Sequence, residues 1–335
     1  MVNFAPLYLL GRFFRYYSYN SFTFLLSGND LSVCTVKNMI RVIVAVTLWF
    51  SVQAMASTDD RLMELKSLHQ SIKNKQVPLL QDLPLSIRSQ VSDDKLRAEV
   101  FAVKAYAFPD LVKKLSSPDK WCQFITLHLN IKACVYQSGP NPSLSFFAGR
   151  KFYEPAESAF ELEYRFKQEA FSNEYSKISL LADEGPFGTK DYLIVLELLK
   201  INDEVLISMS LSYQTSFSSR LGTKIYLSTI GADKIGFTRV KDENGEYVFI
   251  KGIEGIIERN VMRYYLALLT YLDTNHDFPM TESWFDATEQ FSKQLHEVEK
   301  TDYLDAKKME FLQQTRMQKH LDKGLSIFNS SSNDE

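Results

Sequence analysis

The sequence lacks the short motifs that mark common nucleotide and hydrolase sites. It contains no G-x-x-x-x-G-K and no G-x-G-x-x-G loop, so neither kind of glycine-rich nucleotide site is indicated. No G-x-S-x-G elbow is present, and His296-Glu297 does not continue into H-E-x-x-H. A Ser–His–Asp triad assembles in space, so composition does not exclude one, but the chain has five histidines and none lies on a predicted strand. We predict no catalytic residue and favour a binding protein over an enzyme.

Clustered positive charge is also missing. The chain carries 38 basic and 41 acidic residues. Four of the basic residues and one acidic residue lie in 1–56, so 34 basic and 40 acidic residues remain beyond Ala56, a net charge of −6. A mildly acidic chain without a basic patch argues against binding to a phosphate backbone. We therefore expect no nucleic-acid partner.

One apolar stretch near the N-terminus is too short for the roughly 20 residues of a membrane-spanning helix. Residues 37–56 read KNMIRVIVAVTLWFSVQAMA, a basic start followed by an apolar run and a final Ala-Met-Ala. These are the parts of a secretory signal, so we predict a signal peptide at 39–56, cleavage after Ala56 and a periplasmic or secreted protein. The alternative is a retained membrane anchor. Residues 1–38 precede Met39, and we interpret them as an upstream extension.

Cysteine is scarce, with three residues in the chain and only Cys122 and Cys134 beyond the predicted cleavage site. An even pair in an exported chain suggests a disulfide, and two buried free thiols are the alternative. Zinc is poorly supported, because His128 is the only nearby ligand of another type and no C-x-x-C pair exists. We expect neither a metal nor a cofactor.

Strand patterns dominate the middle of the chain. In FELEYRF, Phe160 and every second residue after it are apolar, while the residues between them are charged, which is typical of an antiparallel strand with one wet face. In ISMSLSYQTS, large apolar residues alternate with serines. With turns marked by glycine, proline and asparagine, the pattern predicts strands at 132–138, 144–154, 158–170, 174–183, 190–199, 204–215, 223–230, 234–240 and 246–251, after a first hairpin that turns at 92–94.

Helical patterns flank these strands. Residues 58–75 are predicted to be helical, and two short helices follow Pro109 and Pro118. The segment IEGIIERNVMRYYLALLTYLDT has apolar residues at steps of three and four, which predicts one long helix. Residues 285–324 alternate acids and bases and are predicted to form one or two helices docked by a thin apolar stripe of Phe291, Leu295, Val298, Leu304, Phe311 and Leu312. The predicted domains are a lead-in (57–84), a main domain (85–275) and a helical tail (276–335).

Three segments carry a resemblance to a known superfamily. PDLVKKLSSPDKW, GPFGTKDYLIVLELL and KGIEGIIERNVMRYYLALL are similar to the first helix pair, central strands and C-terminal helix of the START and birch-pollen-allergen-like (SRPBCC) superfamily. The resemblance covers about 96–274 and extends to an uncharacterised family of secreted bacterial proteins. It implies an α+β helix-grip fold, in which a long curved antiparallel sheet wraps around a long C-terminal helix, here with an extra helical tail. The signal peptide and tail depart from typical members, and no catalytic motif transfers.

The resemblance also implies a cavity between sheet and helix that holds a lipid or another apolar molecule. The candidates for its wall are Trp121, Tyr164, Met209, Tyr213, Arg259, Met262, Arg263 and Tyr265, each of which core packing explains as an alternative. Tyr226 and Tyr264 are further candidates to orient a ligand hydroxyl. Arg259 and Arg263 share one helix face. One of them is predicted either to grip a carboxylate or phosphate head group, or to tie the helix to loop carbonyls, Glu161 or Glu163.

Three functions follow. The first is a periplasmic or secreted protein that binds an apolar small molecule without turning it over, which predicts a closed apolar cavity. The second is an enzyme in the same cavity, which predicts an ionisable residue with a perturbed environment there. The third is an interaction module that uses residues 285–324 to bind a protein partner, which predicts a filled core and an exposed apolar stripe on the tail.

Overall fold

Residues 59–92, 94–215, 234–273 and 280–328 are described by a computed structural model of the chain. The chain divides into two compact units, Met1–Asp60 and Arg61–Glu335, and only residues 59 and 60 of the first are described. The predicted signal peptide at 39–56, the strand at 223–230 and the C-terminal end therefore lie outside the described residues. In the described part, no helix combines the length and apolar character that crossing a membrane requires.

Eight antiparallel strands form the main sheet in the order β1-β2-β8-β7-β6-β5-β4-β3. Every pair of neighbours is antiparallel, and all except β2 and β8 are consecutive in the chain. Two further strands, β9 and β10, pair separately. The bounds are β1 (Leu85–Val91), β2 (Lys95–Lys104), β3 (Ile131–Gln137), β4 (Ser143–Ala148), β5 (Phe160–Phe171), β6 (Tyr175–Glu184), β7 (Lys190–Ile201), β8 (Glu204–Gln214), β9 (Ile235–Lys241) and β10 (Tyr247–Lys251).

Helices cover both faces of this sheet. The long α4 packs against one face, where Ile257, Val261 and Leu268 join the main core with the inward residues of seven strands or more. The arrangement confirms the predicted α+β helix-grip fold. The helices are α1 (59–73), α2 (Phe108–Leu115), α3 (Pro118–Ile125), α4 (Gly252–Asp273), α5 (Met280–Glu289), α6 (Ser292–Leu295) and α7 (Lys300–Asp322), with single 3-10 turns at Ala156–Ser158 and Pro186–Gly188.

The alternating stretch in β8 is buried on both faces. Its alternating large residues Val205, Ile207, Met209 and Leu211 belong to the main core on the side of α4. The serines on the other face are buried as well, and Ser208 donates to the carboxylate of Glu99 at 2.8 Å. Helix α1 covers this second face, where Leu65 packs with Phe101. In β5, by contrast, the predicted wet face is confirmed, because its acidic and basic side chains are exposed.

A disulfide joins α3 to β3. Cys122 and Cys134 are bonded, with their Cα atoms 5.2 Å apart, which confirms the predicted bridge. Both residues are buried. The bond therefore fastens the helix pair to an edge strand of the sheet.

The docking face of α7 differs from the predicted apolar stripe. Phe291 and Leu295 are buried, but Phe311 is 66% and Leu312 is 47% exposed. The buried face of α7 is instead largely polar, because it covers β3, an edge strand whose outward backbone groups need partners. Gln314 Oε1 accepts the Cys134 N–H at 2.8 Å, and Gln318 bonds both the N–H and the carbonyl of Tyr136, at 2.9 and 3.1 Å. The prediction was wrong for Phe311 and Leu312, whereas Leu304 is partly buried and packs against the main core as predicted.

Candidate functional site

Three tyrosines form a row across the face of the sheet that looks toward α4. Strand register places Tyr213 opposite Leu96, Tyr192 opposite Ala182 and Tyr164 opposite Leu144. Because Arg165 pairs with Leu181, Tyr164 lies next to Ala182 on the other side. We call Tyr164, Tyr192 and Tyr213 the tyrosine row. The rings of Tyr192 and Tyr213 stack with their centroids 4.8 Å apart, and Ala182 separates them from Tyr164.

A fourth tyrosine faces the row from the helix. Tyr264 lies on α4, close enough to Tyr164 and Tyr192 for the three phenols to influence one another's pKa values. Its ring stacks on His128, with the centroids 4.6 Å apart. The helix thus adds a fourth phenol close to Tyr164 and Tyr192 of the row.

These phenols are neutral hydrogen-bonding groups. Burial is the main cause that raises the pKa of Tyr164, Tyr192, Tyr213 and Tyr264 above the ordinary value. The Tyr192 hydroxyl lies 2.9 Å from Thr189 Oγ1. The other three hydroxyls form no hydrogen bond with any residue in the described ranges. At neutral pH they can donate to or accept from a ligand oxygen, but they carry no charge.

The predicted wall residues divide into three groups. Tyr164 and Tyr213 belong to the row. Trp121, Met209, Met262 and Tyr265 are buried in the same core, and the Trp121 Nε1–H donates to the carbonyl of Leu115 at 2.9 Å. Arg259 and Arg263 lie on a different side of α4, so the structure does not bring all eight predicted residues together. Their roles in ligand binding stay predictions.

Sequence reasoning did not select Tyr192 or Ala182. A signal for Tyr192 was present, since it is in phase with Ile194 and Leu196, which face the core. No sequence signal marks Ala182, because its importance comes from the register that places it between two tyrosines.

A buried ionic cluster surrounds Glu297, which lies between α6 and α7. Its Oε2 accepts hydrogen bonds from Lys151 at 2.6 Å and Lys234 at 2.7 Å, and its Oε1 contacts Arg259 and, at 3.3 Å, Arg263. We call these five residues the Glu297 cluster. Burial alone would raise the pKa of Glu297, but the cations outweigh it and lower the pKa to about 2.

The cluster resolves the prediction for the two arginines in one respect. Arg263 Nη2 donates to the carbonyl of Leu295 at 3.2 Å, so it ties α4 to a backbone carbonyl, although that carbonyl belongs to the last residue of α6 and not to a loop. The predicted acidic partners, Glu161 and Glu163, are wrong: they are exposed on the outer face of β5, and Glu297 takes their place.

His128 is a buried, neutral hydrogen-bond donor beside this cluster. Its Nδ1 accepts the backbone N–H of Asn130 at 3.1 Å, which assigns the ring proton to Nε2. Nε2 is buried and has no acceptor among the described residues. Burial, followed by the charges of Arg263, Lys307, Lys132 and Lys151, lowers the pKa of His128 well below its ordinary value of 6.5.

The buried histidine predicts a pH dependence of stability. Folded His128 stays neutral while the unfolded chain takes up a proton below about pH 6.5, so the free energy of unfolding should fall by about 1 kcal/mol between pH 6.5 and 5.5, and by up to about 1.4 kcal/mol per pH unit below that. Urea unfolding at pH 7.5, 6.5 and 5.5 measures this slope. His128→Gln should flatten it, whereas His296→Gln, at a largely exposed ring, should leave it unchanged. An unaltered slope in His128→Gln contradicts the assignment.

Comparisons with known proteins give only distant structural likenesses. No protein-family model and no curated protein matches the chain. Among solved structures, a conserved protein of unknown function from Enterococcus faecalis shares 11% identity over 62% of this chain and 92% of its own, with a TM-score of 0.30. Truncated norcoclaurine synthase from Thalictrum flavum shares 16% identity over 41% and 84%, with a TM-score of 0.28. A hypothetical protein from Helicobacter pylori shares 12% over 40% and 77%, with a TM-score of 0.29.

These likenesses are too distant to transfer a ligand or an activity, so the site is interpreted from its own chemistry. Within the described ranges, no three His, Cys, Asp or Glu side chains group as a metal site requires. The site consists of neutral phenols in an apolar wall, and the Glu297 cluster lies beside Tyr264.

Proposed function

We propose that the protein binds a lipid-like or other apolar small molecule between the sheet and α4. The observation that supports this most is the tyrosine row with Ala182 at its middle. Large rings stand on both sides of a methyl group, and a fourth ring faces them from the helix. In this proposal the step in side-chain size provides the room for the ligand over the buried Ala182, and the partial exposure of Tyr192, Tyr213 and Tyr264 supports it.

The chemistry of the wall supports an apolar ligand with one or two polar atoms. The surrounding side chains are aliphatic or aromatic, and apolar surface buried against them contributes about 25 cal/mol per Å². Three phenol hydroxyls without partners in the described part of the chain supply the polar contacts. Neutral phenols provide hydrogen bonds but no base or nucleophile at neutral pH, so the wall favours binding over turnover.

The proposal includes export to the periplasm or the outside of the cell. The disulfide between Cys122 and Cys134 supports it, because such bonds persist in oxidising compartments. The predicted signal at 39–56 supports it independently.

Native mass spectrometry with organic extraction tests the proposal on the full chain purified from an exporting host. We expect a stoichiometric apolar adduct, and displacement of that adduct by the neutral fluorescent probe Nile red. Ala182→Leu should weaken probe binding at least tenfold, because the added carbons occupy the room above the row. Tyr164→Phe and Tyr213→Phe should each weaken binding of the extracted ligand by about 1 kcal/mol, or about fivefold.

The matched control is Tyr271→Phe, whose hydroxyl donates to the carbonyl of Lys114 at 3.3 Å, away from the row. It should bind as the unaltered chain does. If no adduct is found and Ala182→Leu binds the probe as well as the unaltered chain, the proposal is wrong.

A protein-interaction role for residues 285–324 is the second candidate. One observation favours it, namely the exposure of Phe311 and Leu312 side by side on α7. Replacing both by aspartate should leave probe binding unchanged and abolish any partner binding that depends on the tail.

A further inference from the structure

We infer that the ligand carries a carboxylate, and that His128 and the cations of the Glu297 cluster receive it in competition with Glu297 itself. This inference rests on the proposed function and names the chemistry of its ligand. In the structure, Glu297 fills the carboxylate position with a side chain of the protein.

The geometry around Glu297 is that of a built carboxylate site. Each carboxylate oxygen lies between two cations, Arg259 and Arg263 at Oε1 and Lys151 and Lys234 at Oε2. The cations come from separate segments: α4, the chain after β4 and the residue before β9. Glu297 is carried by a short non-helical connector, 296–299, between α6 and α7, and Lys151 and Lys234 also lie outside the helices and strands. A change in that connector could withdraw the carboxylate without disturbing the segments that supply the cations.

The charge balance favours an additional anion. Lys151 and Lys234 share one oxygen of Glu297, and nearby Lys132 and Lys307 share Glu310. Within the described residues these four lysines meet two glutamates, which leaves two positive charges in excess with both arginines left out of the count. Excess positive charge in a largely buried region attracts an anion strongly, because the surroundings screen it poorly.

His128 connects the cluster to the tyrosine row. The His128 ring stacks on Tyr264, which faces the row. Arg263, the residue before Tyr264 on α4, belongs to the Glu297 cluster. The Nε2–H of His128 is buried without an acceptor in the described part of the chain. A carboxylate that reached past Tyr264 would satisfy this donor, and its apolar portion would remain over Ala182.

Three ligands with the same chain length separate the carboxylate from the apolar portion. Palmitic acid, methyl palmitate and 1-hexadecanol are titrated against the full chain by displacement of Nile red. We expect the acid to bind at least tenfold more tightly than the ester or the alcohol. Glu297→Gln removes the competing carboxylate and should tighten binding of the acid at least tenfold without changing that of the alcohol.

Two lysine variants test the same inference independently, in case the Glu297→Gln chain does not fold. Lys151→Gln and Lys234→Gln change partly exposed residues, and each should weaken binding of the acid at least fivefold while the alcohol is unaffected. Lys200→Gln, an exposed lysine on β7, is the control.

The outcomes distinguish this inference from the function on which it rests. If all three ligands bind equally and no variant separates the acid from the alcohol, the carboxylate site is wrong and the apolar binding function stands. If none of them displaces the probe and no adduct is found, the proposed function fails and this inference fails with it.

Discussion

Glu310→Gln is expected to lower the free energy of unfolding by about 3–5 kcal/mol, the usual cost of breaking a buried ion pair from one side. Glu310 accepts from Lys132 at 2.8 Å and from Lys307 at 2.7 Å, and all three residues are at least 95% buried. Glutamine preserves the shape but removes the negative charge, so two buried ammonium groups lose their counter-ion.

The two lysines depend on Glu310 because each uses its remaining donors on backbone carbonyls. Lys132 also donates to Leu129 and Phe152, and Lys307 to His128 and Ile131. Burial lowers the pKa of Lys307 to about 8, although Glu310 opposes the shift. In Glu310→Gln, Lys307 should release its proton more readily, so the cost should shrink as the pH rises from 7 toward 10.

Urea unfolding at pH 7 and pH 9 measures both effects. Glu299→Gln, at a well-exposed side chain beside the start of α7, is the control and should cost less than about 0.5 kcal/mol. A triple replacement of Lys132 and Lys307 by Met and Glu310 by Leu removes all three charges together, and it should cost less than Glu310→Gln alone. Equal stability of Glu310→Gln and Glu299→Gln would show that the buried network contributes nothing.

Arg61→Met is expected to lower the free energy of unfolding by a similar amount, about 3–5 kcal/mol. This arginine lies on the opposite face of the sheet. Arg61 lies on α1 and contacts the carboxylates of Glu99 and Glu197, with its Nε 3.0 Å from Glu197 Oε2. Both glutamates are buried, and the Tyr175 hydroxyl donates to Glu197 at 2.7 Å. Without the guanidinium, Glu99 keeps Arg88 and Arg97, but Glu197 keeps only the Tyr175 hydroxyl among the described residues.

The sign of the pH effect is opposite to that of Glu310→Gln. Burial alone would raise the pKa of Glu99, but Arg97, Arg61 and Arg88 outweigh it and lower the pKa to about 2. The stability that these pairs contribute is therefore complete above about pH 4.5 and is lost as the pH falls toward 2. The difference between Arg61→Met and the unaltered chain should shrink over that range, because protonated carboxylates no longer need the arginine.

Unfolding by guanidinium chloride would mask these charges, so urea unfolding at pH 7, 5 and 3.5 is the suitable measurement. The control is Arg150→Met, whose side chain is 73% exposed and whose nearest acidic partner is 3.6 Å away. It should change the free energy of unfolding by less than about 0.5 kcal/mol. An Arg61→Met chain as stable as this control would contradict the interpretation.

Together these networks explain how the outer helices are attached. Arg61 on α1 reaches buried glutamates of β2 and β7, and Glu310 on α7 reaches a buried lysine of β3. An ion pair, or a glutamine that bonds the backbone of an edge strand, forms only when the helix has one defined position on the sheet. An apolar contact still forms when the helix shifts along the sheet. The helices on the outside of the grip are therefore held in register by polar contacts.

Local patterns in the sequence determined the elements and the fold. Alternation with a period of two identified the strands from β3 to β8, apolar residues at steps of three and four identified α4, and two cysteines in one exported chain indicated the disulfide. Export of the chain is itself a prediction from 39–56; the other features are readable because each depends on neighbours a few residues apart, or on a pair with few alternatives.

Only the tertiary structure decided what those elements place together. Strand register puts Ala182 between Tyr164 and Tyr192, and the path of the chain after α6 brings Glu297 to Lys151, 146 residues away. The docking face of α7 is set by the unpaired backbone of β3, which no period in the helix sequence reveals. Strand register and charge pairing between distant residues depend on how the helices and strands pack together. Such contacts contribute free energy only once the fold has formed, so no local pattern in the sequence reveals them.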